Sequence, residues 1–134
     1  MGYQVLFSMH SKQKGSITEA VVLSSLKRLG KHIALPFGDY GEYDLLVDEG
    51  DHFVKVQCKT GRLRDGCVYF NTHTRTAQGD RHYTSVDVFG VFCPEIGKTY
   101  LVPANYCAKN TACLRVEPSK TKHSWIKLAS DFEI

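Results

Sequence analysis

The sequence predicts an α/β (α+β) fold, and three observations carry that reading. Apolar residues at Val22, Leu23, Leu26 and Leu29 recur at helical spacing. Short apolar stretches follow through the rest of the chain, with the length and composition of strands. Two of these stretches are separated by only four residues around Gly50, the length of a hairpin loop.

Taken in order, the first dozen residues are mixed, and residues 1–14 read as a mobile arm or an added strand. The helix is expected over residues 16–29. Ser16 can cap it, Glu19 three residues on completes a capping box, and Gly30 stops it. Strands are expected at residues 32–37, 43–48, 53–59, 67–71, 86–93 and 99–102. A short helix at 104–110 and a last strand at 125–128 complete the reading. One helix followed by a mostly antiparallel meander is the result. At 134 residues the chain has room for one domain with a real core, residues 1–134, and not for two.

Composition excludes several classes. No apolar run approaches the roughly 18 to 20 residues that span a bilayer, and no cleavable leader precedes the helix, so a cytoplasmic protein with no membrane partner is expected. Five scattered cysteines, Cys58, Cys67, Cys93, Cys107 and Cys113, contain no C-x-x-C pair and read as reduced core thiols. Neither an H-E-x-x-H motif nor a helical pair of histidines is present, which argues against zinc hydrolysis. No nucleotide cofactor is expected.

Net charge is only +3, but its distribution is uneven. Between Gly38 and Val54 stand Asp39, Glu42, Asp44, Asp48, Glu49 and Asp51 with no Lys or Arg. Five positive charges precede this island, from Lys12 to Lys31, and six follow it, from Lys55 to Arg81. Hairpin turns that favour Asp and Glu explain the island as well as a cation-gathering site does.

The hairpin decides more. If Asp48 pairs with Phe53, paired numbers sum to 101, and Asp44 stands opposite Gln57. Lys59 then projects from the same face, while Val54, Val56 and Cys58 occupy the other. A carboxylate, an amide oxygen and an ammonium in one place suit phosphodiester cleavage: the first two, with the Cys58 backbone carbonyl, as hard oxygen ligands for Mg²⁺ (Mn²⁺ substituting), and Lys59 to orient water and offset phosphate charge. A plain surface salt bridge between Asp44 and Lys59 is the competing account. Glu19 lies at the N-terminal end of the apolar helical stripe, either as the partner of Ser16 in a capping box or as a further metal ligand reaching over the sheet.

Glu on a first helix, Asp at one strand, twelve intervening residues and then Gln-x-Lys on the next strand resemble the PD-(D/E)XK nuclease superfamily. The phrases Lys14-Gly15-x-x-Thr18-Glu19, Gly41-x-Tyr43-Asp44-Leu45 and Val56-Gln57-Cys58-Lys59-Thr60-Gly61 are similar to the small endonucleases of this type encoded in bacterial group I introns. Tyr83-Thr84, Asp87-Val88-Phe89-Gly90-Val91-Phe92 and Tyr100-Leu101-Val102-Pro103 extend the likeness. It implies a restriction-endonuclease-like core, a central mixed sheet with an N-terminal helix carrying the first acidic residue. It implies Glu19, Asp44, Gln57 and Lys59 as catalytic residues, with residues 15–64 as the catalytic core. Tyr43 stands where Pro usually precedes the Asp, and Gln57 replaces the second acidic ligand, which removes one negative charge from the metal shell.

The activity so implied is Mg²⁺-dependent, site-specific cleavage of double-stranded DNA by an intron-encoded homing endonuclease. A Holliday junction resolvase-like nuclease and an inactive DNA-binding module are the alternatives, the latter because of Gln57. Phosphate contacts are expected from Lys12, Lys14, Lys31, Arg62, Arg64, Arg75 and Arg81. Asn71, His73, Gln78 and His82, with Arg75 and Arg81, are expected on a hairpin or loop that enters a groove. A homodimer or homotetramer is expected, because one active site cuts one strand, with residues 86–93, 99–102 and Trp125 as candidate interface.

Overall fold

The computed structural model describes residues 11–38, 41–76, 79–82, 85–117 and 126–134, with backbone alone for 74–76 and 79–82. The helix, α1 (Ser11–Arg28), is already formed at Ser11, five residues before the capping signal at Ser16. Lys12 and Lys14 are therefore helical, and Ser16 lies inside the helix. A capping box serves N–H groups that an interior position no longer leaves open, so that account of Glu19 is lost. At the other end Gly30 stops the helix with φ +81°, and the Lys31 N–H returns to the Leu26 carbonyl at 3.2 Å. Thr18, Val22 and Leu26 form the buried stripe, whereas Leu29, expected to extend it, is exposed.

Ten strands follow among the described residues: β1 (His32–Ala34), β2 (Leu45–Asp48), β3 (Phe53–Thr60), β4 (Arg62–Arg64), β5 (Cys67–Asn71), β6 (His73–Thr76), β7 (Gly79–His82), β8 (Val88–Cys93), β9 (Lys98–Pro103) and β10 (Thr111–Arg115). The main sheet has the order β1-β2-β3-β8-β9 and is mixed, because β3 and β8 run parallel while every other pair is antiparallel. The meander expectation is corrected here. Between β3 and β8 the chain builds a second sheet, β10-β5-β4, and the separate hairpin β6–β7. Strands β4 and β10 had no counterpart in the sequence reading.

Gly61 makes the change of sheet possible. It follows β3 directly, its N–H bonds the Phe92 carbonyl at 2.8 Å, and a Cβ placed on it would stand 2.7 Å from Val68 Cγ1. Gly90 plays the same part under the helix, where a Cβ would meet Val22 at 2.7 Å. Two apolar clusters result. Val22 and Leu26 of α1 pack on Leu45, Val47, Val56 and Cys58. On the other side Val86, Phe89, Val91, Cys93, Tyr100 and Val102 pack against Val68, Phe70, Ala112 and Leu114 of the second sheet. The 86–93 and 99–102 segments thus fill the core and are not available as interface; Trp125 lies outside the described residues.

Toward the C-terminus, the helix expected at 104–110 is a single 3₁₀ turn, Ala104–Tyr106. The last strand reduces to a bridge between Leu128 and Arg115 followed by the 3₁₀ turn Ala129–Asp131. No helix among the described residues is long and apolar enough to cross a membrane.

Candidate active site

The register of β2 on β3 pairs Asp48 with Phe53 and Leu45 with Val56, the sum of 101 read from the sequence. Asp44 lies one step beyond the end of this ladder. Its N–H bonds the Val56 carbonyl at 2.8 Å, and the Cys58 N–H donates to its Oδ2 at 2.9 Å. One carboxylate oxygen is thereby fixed by the backbone of β3. Along β3 the side chains alternate: Val56 and Cys58 are buried, while Gln57 and Lys59 are half-buried on the opposite face.

The helix brings the Glu19 carboxyl beside that of Asp44. A polar link beside it fixes the approach. Thr18, 2% exposed, shares a hydrogen bond of 2.7 Å with the Thr60 hydroxyl, so the residue before Glu19 is tied to the residue after Lys59. Lys59 reaches out from β3 and donates from Nζ to the His73 carbonyl at 3.2 Å. Its positive charge also acts on Asp44.

Burial raises the Asp44 pKa above the ordinary carboxylate value, against the Cys58 N–H, the Glu19 hydrogen bond and the Lys59 charge. A half-buried carboxyl with a second, exposed one beside it suits a cation. The Cys58 thiol is pushed up by burial and by the nearby Asp44 and Glu19 charges, so it stays protonated and is a poor metal ligand. The donor set is therefore oxygen, which fits a hard divalent ion. Among the described residues no three His, Cys, Asp or Glu side chains gather as a metal cluster. The neighbouring neutral oxygens on β3 are those of the Gln57 amide and the Cys58 carbonyl.

The acidic island does not act as a unit. Glu42 accepts from the Ser85 N–H and hydroxyl, while Asp48, Glu49 and Asp51 surround the hairpin turn at the far end of β2 and β3. Lys31 is drawn to that end as well, paired with Glu49 at 3.0 Å, and the structure does not bring it to the site. Lys14, Arg62, Arg64 and Asn71 instead share a cleft of about 710 Å³ that Thr60 and Gly61 also line. The Arg64 guanidinium stacks on the Tyr69 ring, 5.0 Å from its centre. Lys12 is exposed on the first turns of α1. His73 opens the hairpin β6–β7, whose strands carry Arg75, Arg81 and His82; the side chains of these three, and Gln78 altogether, lie outside the described residues.

Sequence reasoning missed Thr18, Thr60 and Thr72. The first carried a signal: a Thr four residues before Val22 and eight before Leu26 puts a hydroxyl on the buried stripe, where it needs a partner.

Comparison with known proteins bears on this arrangement in three ways. Among solved structures, that of a bacterial homing endonuclease, I-Ssp6803I, matches with a TM-score of 0.68, covering 99% of this chain and 88% of that one at 21% identity. At that identity the likeness speaks to the fold. No curated protein matches in sequence. The family model described as PD-(D/E)XK endonuclease, however, matches residues 9–134, a span that takes in α1 with Glu19, the β2–β3 hairpin with Asp44 and Lys59, and the second sheet. The chain therefore belongs to the PD-(D/E)XK endonuclease family.

Proposed function

We propose that this endonuclease cuts double-stranded DNA at a specific site with the help of a divalent cation, in the service of intron homing, and that Glu19, Asp44, Gln57 and Lys59 form its active site. The observation that carries the reading is the proximity of the Glu19 and Asp44 carboxyls and the Lys59 charge at the open end of the β2–β3 hairpin.

Asp44 is preorganised, because the Cys58 N–H holds one of its oxygens and leaves the other directed toward the site. Glu19 stands beside it on a helix anchored by the Thr18–Thr60 bond. Both, with the Gln57 amide oxygen and the Cys58 carbonyl, would hold Mg²⁺ or Mn²⁺. When bound, such an ion polarises a phosphate oxygen and makes water more acidic. Lys59 supplies positive charge where negative charge grows on the phosphate, from an ammonium positioned by the His73 carbonyl. The cleft with Lys14, Arg62 and Arg64 takes phosphates of the substrate backbone, and the hairpin β6–β7 enters a groove.

The homing role rests on the sequence resemblance and on the fold shared with I-Ssp6803I. A chain with one such site cuts one strand, so two copies, or two pairs of copies, act across a two-fold target. Incubation of supercoiled plasmid with Mg²⁺ should give nicked and linear products that EDTA abolishes. Cutting undiminished in EDTA defeats the proposal.

A further inference from the structure

The Lys59 ammonium donates to a backbone carbonyl, that of His73, at the start of the β6–β7 hairpin. Where that carbonyl stands depends on how residues 72 and 73 are anchored. Three hydrogen bonds pin them to one loop. The Thr72 N–H donates to the Asn110 carbonyl at 2.9 Å, the Thr72 hydroxyl to the Ala108 carbonyl at 2.5 Å, and His73 Nδ1 to the Asn110 carbonyl at 2.9 Å. Thr72 is 5% exposed, a buried hydroxyl with one designated acceptor. On its other side, His73 is the first residue of β6 and pairs with His82 at the open end of the β6–β7 hairpin.

We infer that Thr72 and His73 are positioning residues for Lys59, and that they join the β6–β7 hairpin to the cleavage step. This rests on the proposed role of Lys59. A hydroxyl that fixes one carbonyl fixes the direction of an ammonium that must meet a phosphate oxygen, and misplacement by about 1 Å from a remote substitution can cost on the order of 10²-fold in rate. Because the same residue begins the hairpin, DNA seated on the hairpin and charge offered at the phosphate share one rigid link. Thr72 does not touch the reacting atoms, so its loss should fall on the rate of cutting rather than on affinity.

Thr72→Val keeps the branched shape and removes the donor, while Thr72→Ser restores it. Single-turnover cutting with Mg²⁺ should slow about tenfold in Thr72→Val, with affinity for the same DNA in Ca²⁺ within about twofold of wild type and Thr72→Ser close to wild type. A second readout does not depend on cutting. The Lys59 Hε–Cε cross-peak in the NMR spectrum of the free protein should move in Thr72→Val and return in Thr72→Ser. The signal of Lys98, paired with Glu133 at 2.9 Å, should stay in place. If Thr72→Val does not fold, Thr72→Ala removes the same donor without adding a buried methyl and is read in the same way. An unmoved Lys59 signal in a folded variant overturns the inference, as does a loss of rate matched by an equal loss of affinity. If the wild type does not cut, the proposed function falls, and the Lys59 signal alone decides the positioning claim.

Discussion

The two ends of the β2–β3 hairpin carry similar residues and have different chemistry. At the turn end, Asp51 is fully exposed beside His52, 2.6 Å away, and that hydrogen bond lowers its pKa; Glu49 pairs with Lys31 in solvent. At the open end Asp44 is mostly buried, meets a second carboxyl and has its pKa raised. Water screens the first set, and each pair there is worth little. In the second set Asp44 loses water to burial while a second carboxyl stands beside it and Lys59 supplies the nearby positive charge. Density of acidic residues along a chain does not make a site; burial of one carboxyl beside another does.

The largest test of this contrast is activity. Asp44→Ala and Lys59→Ala should each slow plasmid cutting by about a thousandfold or more, roughly 4 kcal/mol of barrier, with the fold intact by circular dichroism. Asp51→Ala and Lys31→Ala should cut within about twofold of wild type. Wild-type nicking by either site variant removes the assignment.

A middle-sized effect separates the ends of β3 by their glycines. Gly61→Ala forces a Cβ to 2.7 Å from Val68 and 3.1 Å from Val91, an overpacking cost of about 1–3 kcal/mol. Gly50→Ala in the turn meets no atom within 4 Å and suffers only from its φ of +95°, about 1 kcal/mol. Urea unfolding should rank Gly61→Ala as the more damaging; the reverse order would show that the junction between the sheets is loosely packed.

The smallest effect concerns pH. A folded pKa above the unfolded value means that protonated Asp44 contributes stability below the ordinary carboxylate range, near 3.8, and that this is lost as pH rises through the folded value. Asp44→Asn should therefore melt about 1–2 °C higher than wild type at neutral pH without metal, and the gain should vanish near pH 4. Asp51→Asn should show the opposite sign, since a lowered pKa contributes stability above that range which is lost as pH falls. Equal melting of Asp44→Asn and wild type at neutral pH counts against a strained carboxyl pair.

Much of this was legible in the chain because the relevant physics is local. Asp48, Gly50 and Phe53 set a turn, the turn sets the register, and the register sends Asp44 to Gln57 through strand alternation alone. The helix end at Gly30 was legible for the same reason. What escaped depends on contacts far apart in sequence. The parallel pairing of β3 with β8, the second sheet and the burial of residues 86–93 are set by how two apolar faces meet. No periodicity reveals whether Val91 faces a neighbour in the same chain or another copy. The start of α1 was misread because Ser16 and Glu19 form a capping pattern at a place where the helix has already begun. Lys31 was grouped with the DNA-binding cations by charge alone, whereas the fold carries it to the turn.

The central claim, that only the open end of the hairpin is built for a cation, is tested most directly by calorimetric titration of Mn²⁺ into the free protein. Wild type and Asp51→Asn should bind with the same affinity and Asp44→Asn should show no binding in the same range. Binding by Asp44→Asn equal to that of wild type would contradict the account.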